Sequence, residues 1–174
     1  RFSLARSPAS SASRSSKCRT MAPAVHEGFP ANRTGRGSSP RRTIRFTVAA
    51  PVAALRACHC LNCQKASGSG GTVNAVVPSE SFRITKGATR KYDDSATKSG
   101  RTLSRHFCEK CGSPIYSHRN PNPGFVVVRA GSLDDSSGMK ITGNIWTSTA
   151  RAWDHIDPAT ECHPENLPPP PAKS

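Results

Sequence analysis

Cys58-His59-Cys60-Leu61-Asn62-Cys63 puts three cysteines into six residues at C-x-C-x-x-C spacing. In an extended segment residues i and i+2 project to the same side, so Cys58 and Cys60 face one point, and a tight turn brings Cys63 back to it. Packing seldom asks for this spacing, whereas a thiolate metal claw does. A second pair follows at Cys108-Glu109-Lys110-Cys111, with Gly112-Ser113-Pro114 behind it. That is the type of sequence that makes a zinc knuckle, Gly112 supplying a positive φ. Five of the seven cysteines therefore sit in two clusters, which makes metal ligation the organising feature of the fold.

The rest of the composition suits a small domain that depends on such help. A chain of 174 residues accommodates one domain plus tails, and its hydrophobic fraction is only 34%. Zinc on a folded thiolate site contributes on the order of 10 kcal/mol to folding, comparable to or above the net stability of a domain. Seven cysteines grouped by C-x-C and C-x-x-C argue for metal in a reducing compartment over a disulfide framework. No apolar run approaches the roughly 20 residues needed to span a bilayer, so no membrane partner is expected. A cytoplasmic placement follows, with mitochondrial or nuclear placement left open.

The formal charge of +14 would point to nucleic acid if the folded part carried it. It does not. Residues 1–50 hold ten Lys/Arg against Glu27, a net of +9, and residues 51–174 hold fifteen Lys/Arg against ten Asp/Glu, a net of +5. A dedicated nucleic-acid role is not expected.

Residues 1–42 read as a basic, Ser/Arg/Pro-rich leader or disordered arm. The first twenty residues, which include Cys18, carry five basic residues, seven serines and no acid. Two readings of them stay open: translation upstream of a start at Met21, or an organelle leader. Order is expected from Thr43-Ile44-Arg45-Phe46-Thr47-Val48, whose alternation marks a half-buried strand. Further strands are expected at Thr72 to Val77, Ser81 to Ile84, Arg101 to Phe107, Phe125 to Ala130 and Ile141 to Trp146, with Gly- and Ser-rich turns between them. No helical period runs for ten residues, so the class is all-β. The folded domain is placed at 43–158, followed by a Pro-rich tail over 159–174 that reads as a trailing linker.

Three motifs carry a resemblance to a known family: Cys58 through Ser69, then Phe107-Cys108-Glu109-Lys110-Cys111-Gly112-Ser113-Pro114-Ile115-Tyr116, then Ile145-Trp146-Thr147-Ser148. Together, from about Gly37 to about Pro158, they resemble the glutathione-dependent formaldehyde-activating enzyme family, also called the centromere-protein-V-like family. The resemblance implies a β-tent of short antiparallel strands held by zinc knuckles, with one or two zinc ions. It implies that Cys58, Cys60 and Cys63 ligate a catalytic zinc whose open position takes the thiol of glutathione, a co-substrate. The implied activity is that of a carbon–sulfur lyase acting on thiol adducts of a small aldehyde. The alternative is a non-enzymatic, zinc-stabilised binding module, perhaps on chromatin, as the second family name implies. Closure of the claw by His59, His106 or His118 also stays open at this point.

The chain departs from the pattern in two places. The family's structural zinc site joins Cys108 and Cys111 to an earlier C-x-C pair, and the corresponding positions here are Ser39 and Arg41. Half a site is left unless Cys162, His163 or another chain completes it; a redox role for the Cys108–Cys111 pair is the remaining option. A histidine usual before Ile-Trp is replaced by Asn144. Trp146 and Trp153 are read as core or pocket walls. Lys65 and Arg105 are candidates to meet the carboxylates of glutathione.

Overall fold

The computed structural model describes residues 35–52, 54–98 and 100–167. The leader and the end of the proline run lie outside these residues. The fold is mostly β-sheet with one short helix, in agreement with the all-β expectation.

Eleven strands are seen among the described residues: β1 Gly35–Ser38, β2 Arg45–Val48, β3 Ala54–Cys58, β4 Thr72–Pro78, β5 Phe82–Lys86, β6 Thr89–Asp94, β7 Thr102–Cys108, β8 Pro114–Asn120, β9 Phe125–Arg129, β10 Ile141–Ile145 and β11 Glu161–Cys162. They form a three-stranded sheet in the order β1-β2-β5 and an eight-stranded sheet in the order β11-β10-β3-β4-β9-β8-β7-β6. Neighbours are antiparallel except at β3-β10 and β10-β11, which are parallel. The core lies between the sheets. Phe46, Val48 and Phe82 of the small sheet join Leu55, Ala75, Val77, Ile115, Val126 and Val128 of the large one in a single buried cluster. Each such side chain stabilises the fold by roughly 1.5–3 kcal/mol relative to exposure.

All six expected strands form, with ends shifted by a residue or two. Those that went unnamed lack an apolar period. Thr89–Asp94 is an edge strand whose one buried residue is Asp94. Pro114–Asn120 buries Ile115 but then Ser117, so its alternation is invisible to hydropathy. A strand at Gly35–Ser38 precedes Thr43 and pairs with β2; its inward position, Gly37, contributes no side chain to the pattern. The segment after Pro158 is not simply a trailing linker. Glu161–Cys162 adds to β10, and the carbonyls of His163, Pro164 and Glu165 accept from the backbone of Thr147, Ser148 and Trp146. Backbone pairing, which a polar sequence does not advertise, holds it in place.

Candidate metal centre and adjoining cavity

Strand β3 delivers Cys58, and a helix, α1 Leu61–Ser67, begins three residues later. The turn expected between Cys60 and Cys63 is the first turn of this helix. Cys60 is its N-cap: the extended backbone there lets Cys60 Sγ accept from the N–H of Cys63 at 3.4 Å, satisfying a donor that has no partner within the helix. Gly68, at φ 67°, ends it by returning its N–H to the Gln64 carbonyl, a left-handed geometry that favours glycine. The three sulfurs lie within 4.8 Å of one another. Among the described residues no other group of three or more His, Cys, Asp or Glu ligand atoms comes together in this way.

The loop between the first two cysteines is pinned from behind. Gln64 Nε2 donates to the His59 carbonyl at 2.6 Å and to that of Thr149 at 2.8 Å, while Thr149 Oγ1 also donates to His59 O at 3.0 Å. Arg151 Nε donates to Gln64 Oε1 at 2.8 Å. His59 itself is buried, with Nδ1 2.8 Å from Asp154 Oδ2 and Nε2 3.2 Å from Asn144 Oδ1. Both ring nitrogens are engaged, so His59 does not turn toward the sulfurs. His106 and His118 face each other, Nε2 to Nε2 at 3.3 Å; the second nitrogen of His106 meets Thr89 Oγ1 and that of His118 meets the Arg119 carbonyl. None of the three histidines considered as a closing ligand joins the cysteine group.

Electrostatics favour negative charge on the claw. Cys63 is lowered to about 2, chiefly by hydrogen bonds from Cys58 and Cys60, with Thr72 and the charge of Arg129 adding to them against burial. Cys58 is pushed well up, first by its hydrogen bond with Cys60. Arg129, at the end of β9, is itself buried and donates to Asn74 Oδ1. Sequence reasoning missed Arg129, because it reaches the claw only through the pairing of β4 with β9.

Beside the claw opens a cavity of about 440 Å³, lined by Asn62 and Lys65 of α1 and by Tyr92, Arg105, Phe107 and Arg129 of the sheet. Arg105 donates both Nε and Nη2 to Asp94 Oδ2, at 3.2 and 2.9 Å, and Asp94 accepts from Asn62 as well. Arg105 Nη1 is buried and has no hydrogen-bond partner. Of the two cations suggested by sequence, Lys65 is exposed at the rim and Arg105 is held inside by Asp94. Trp146 is half-buried under the Lys98 ammonium, 4.9 Å from its ring centroid. Trp153 is 70% exposed, which corrects its reading as a core or pocket wall.

Cys108 and Cys111 sit at the far end of β7, away from the claw. Cys108 is completely buried and Cys111 exposed. Cys162 and His163 do not approach them: β11 and β7 are six strand spacings apart in the sheet, roughly 29 Å along its surface.

Residues 36–149, about two thirds of the chain, match the family model described as glutathione-dependent formaldehyde-activating enzyme. This chain belongs to that family. A protein of Fusarium vanettenii, provisionally named a glutathione-dependent formaldehyde-activating enzyme, is 36% identical over 81 residues, which is 45% of this chain and 39% of the relative. The match thus spans about two fifths of that relative's length. Among solved structures, a Rhodobacter sphaeroides protein aligns with 59% of this chain and 91% of its own, at 20% identity and a TM-score of 0.48. The claw and the Cys108–Cys111 turn both fall inside the family-matched region.

Proposed function

We propose that the protein is a zinc-dependent carbon–sulfur lyase of the glutathione-dependent formaldehyde-activating type, acting on the adduct of an acidic thiol with a small aldehyde. One observation carries this reading. The Cys58, Cys60 and Cys63 sulfurs form a three-ligand cluster, no fourth ligand closes it among the described residues, and it adjoins a cation-lined cavity. Three soft thiolates in this arrangement suit zinc, and a structural site would be expected to have four protein ligands. Bound there, zinc supplies acidification of a thiol and fixes its thiolate against an electrophilic carbon.

The chain's own residues supply the rest. The hydrogen bonds of Gln64 and Thr149 to the His59 carbonyl keep the claw in one geometry. Arg129 balances thiolate charge from the protein side. Arg105, oriented by Asp94, offers its free Nη1–H to a carboxylate; a buried guanidinium donor left without a partner costs roughly 1–3 kcal/mol or more, which a bound anion relieves. Glutathione, a thiol with two carboxylates, fits such a lining. Its sulfur and the aldehyde carbon form the bond when the adduct is made, the carbonyl oxygen taking up a proton, and the reverse step releases both.

The test is the turnover of thiol–aldehyde adducts across a panel of aldehydes by zinc-loaded protein and by Cys58→Ala, with the spontaneous rate subtracted because thiols add to formaldehyde unaided. Loss of turnover in the variant is expected; an unchanged rate for every aldehyde overturns the proposal. Arg105→Met should raise KM for glutathione more than for an uncharged thiol.

A further inference from the structure

The chemistry at the Cys108–Cys111 turn does not fit a second zinc ion. Cys108 is fully buried at the end of β7, yet its sulfur faces hydroxyls rather than other thiolates. Thr43 Oγ1 lies 3.2 Å from Cys108 Sγ, and Ser39 Oγ lies 3.1 Å from Thr43 Oγ1. Ser39 is 1% exposed and its Oγ accepts the N–H of Ile44 at 3.2 Å. The chain Ser39–Thr43–Cys108 is thus a closed hydrogen-bond relay that ties the loop between β1 and β2 to the end of β7. Cys111, four-fifths of a turn away on the surface, donates to Ser113 Oγ at 3.3 Å. Glu109, between the two cysteines, is directed to Arg90 and Lys110. No third His, Cys, Asp or Glu atom joins the pair among the described residues. The backbone turn holds itself: Cys108 N–H bonds the Ser113 carbonyl, Gly112 N–H bonds the Cys108 carbonyl, and Gly112 adopts φ 71°.

Zinc takes thiolate, imidazole and carboxylate ligands, and a closed structural site has four of them. Two sulfurs and two neutral alcohols do not make that set. We infer that this knuckle is metal-free, that the Ser39 and Thr43 hydroxyls do by hydrogen bonding what metal ligands do in a zinc knuckle, and that Cys108 and Cys111 stay as thiols in the zinc-loaded protein. The protein accordingly holds its zinc at the claw alone. The inference concerns different residues from the proposed activity and does not rest on it.

The experiment is elemental analysis of zinc per folded chain in the full-length protein, in Cys108→Ser/Cys111→Ser and in Ser39→Cys/Thr43→Cys. The first variant should hold the same zinc as the wild type. The second brings four thiols to one point that already exists in the geometry, and should gain one equivalent. A folded Cys108→Ser/Cys111→Ser protein that has lost an equivalent overturns the inference. So does a folded Ser39→Cys/Thr43→Cys protein with no more zinc than the wild type, which keeps the test decisive if the first variant fails to fold. A claw variant, Cys58→Ala, that retains all its zinc would instead sink the proposed function and leave this inference standing.

Discussion

His59 and Asp154, 95 positions apart, meet at 2.8 Å between Nδ1 and Oδ2, and the space that Asp154 occupies exists because residue 70 is glycine. A Cβ built on Gly70 runs into the Asp154 carboxylate. The claw's own loop residue is therefore held by a carboxylate from the far end of the domain, through a gap left by the turn after α1.

That arrangement predicts coupling. Gly70→Ala can be accommodated only by moving Asp154 off His59, so it should cost roughly 1–3 kcal/mol in the wild type, the penalty of a buried polar group left without its partner. In an Asp154→Ala background the same substitution should cost much less. A double-mutant cycle by urea denaturation checks this, and additive effects would refute the coupling.

His106 sets a pH dependence. Burial, with repulsion from His118 and Lys91, lowers it to about 4 from the ordinary 6.5. Below the ordinary value the unfolded chain binds a proton that the folded chain does not. Its contribution to stability is therefore complete above about 6.5 and is lost as the pH falls toward about 4. The urea midpoint of the wild type should fall faster than that of His106→Gln across this window. Parallel profiles would show that His106 titrates alike in both states.

Gly37 is a packing position. A Cβ there would overlap the Phe46 ring and the Ser132 carbonyl, and Phe46 is 1% exposed with its ring 5.3 Å from that of Phe82. Gly37→Ala should destabilise by ~1–3 kcal/mol through overpacking. Thermal denaturation measures it, and a neutral result would mean that the small sheet shifts freely over the large one.

Arg129 supports the claw from behind. Arg129→Met removes the charge beside Cys63 and leaves Asn74 without its donor. Zinc affinity should drop roughly 10–100-fold, as for other groups that orient and balance metal ligands. Competition with a chromophoric chelator reads this directly. An unchanged affinity would show that the thiolates need no balancing cation.

Much was legible along the chain because its causes are local. The C-x-C-x-x-C spacing converges three sulfurs within one strand end and one helical turn, whatever surrounds them. The β-rich class follows from short alternating runs between glycine-rich turns. The tertiary structure alone decided what those sulfurs face. Arg129 arrives through the register of β9 on β4, the Arg105–Asp94 pair through β7 and β6, and Asp154 through the return of the chain past β10. Register is cooperative over a whole sheet, and a slip of one residue would turn each of these strand side chains to the opposite face. The same holds for Ser39, Thr43 and Cys108. Sequence shows that two cysteines are missing at the knuckle, but only the meeting of a loop with a distant strand end shows that hydroxyls have closed the gap.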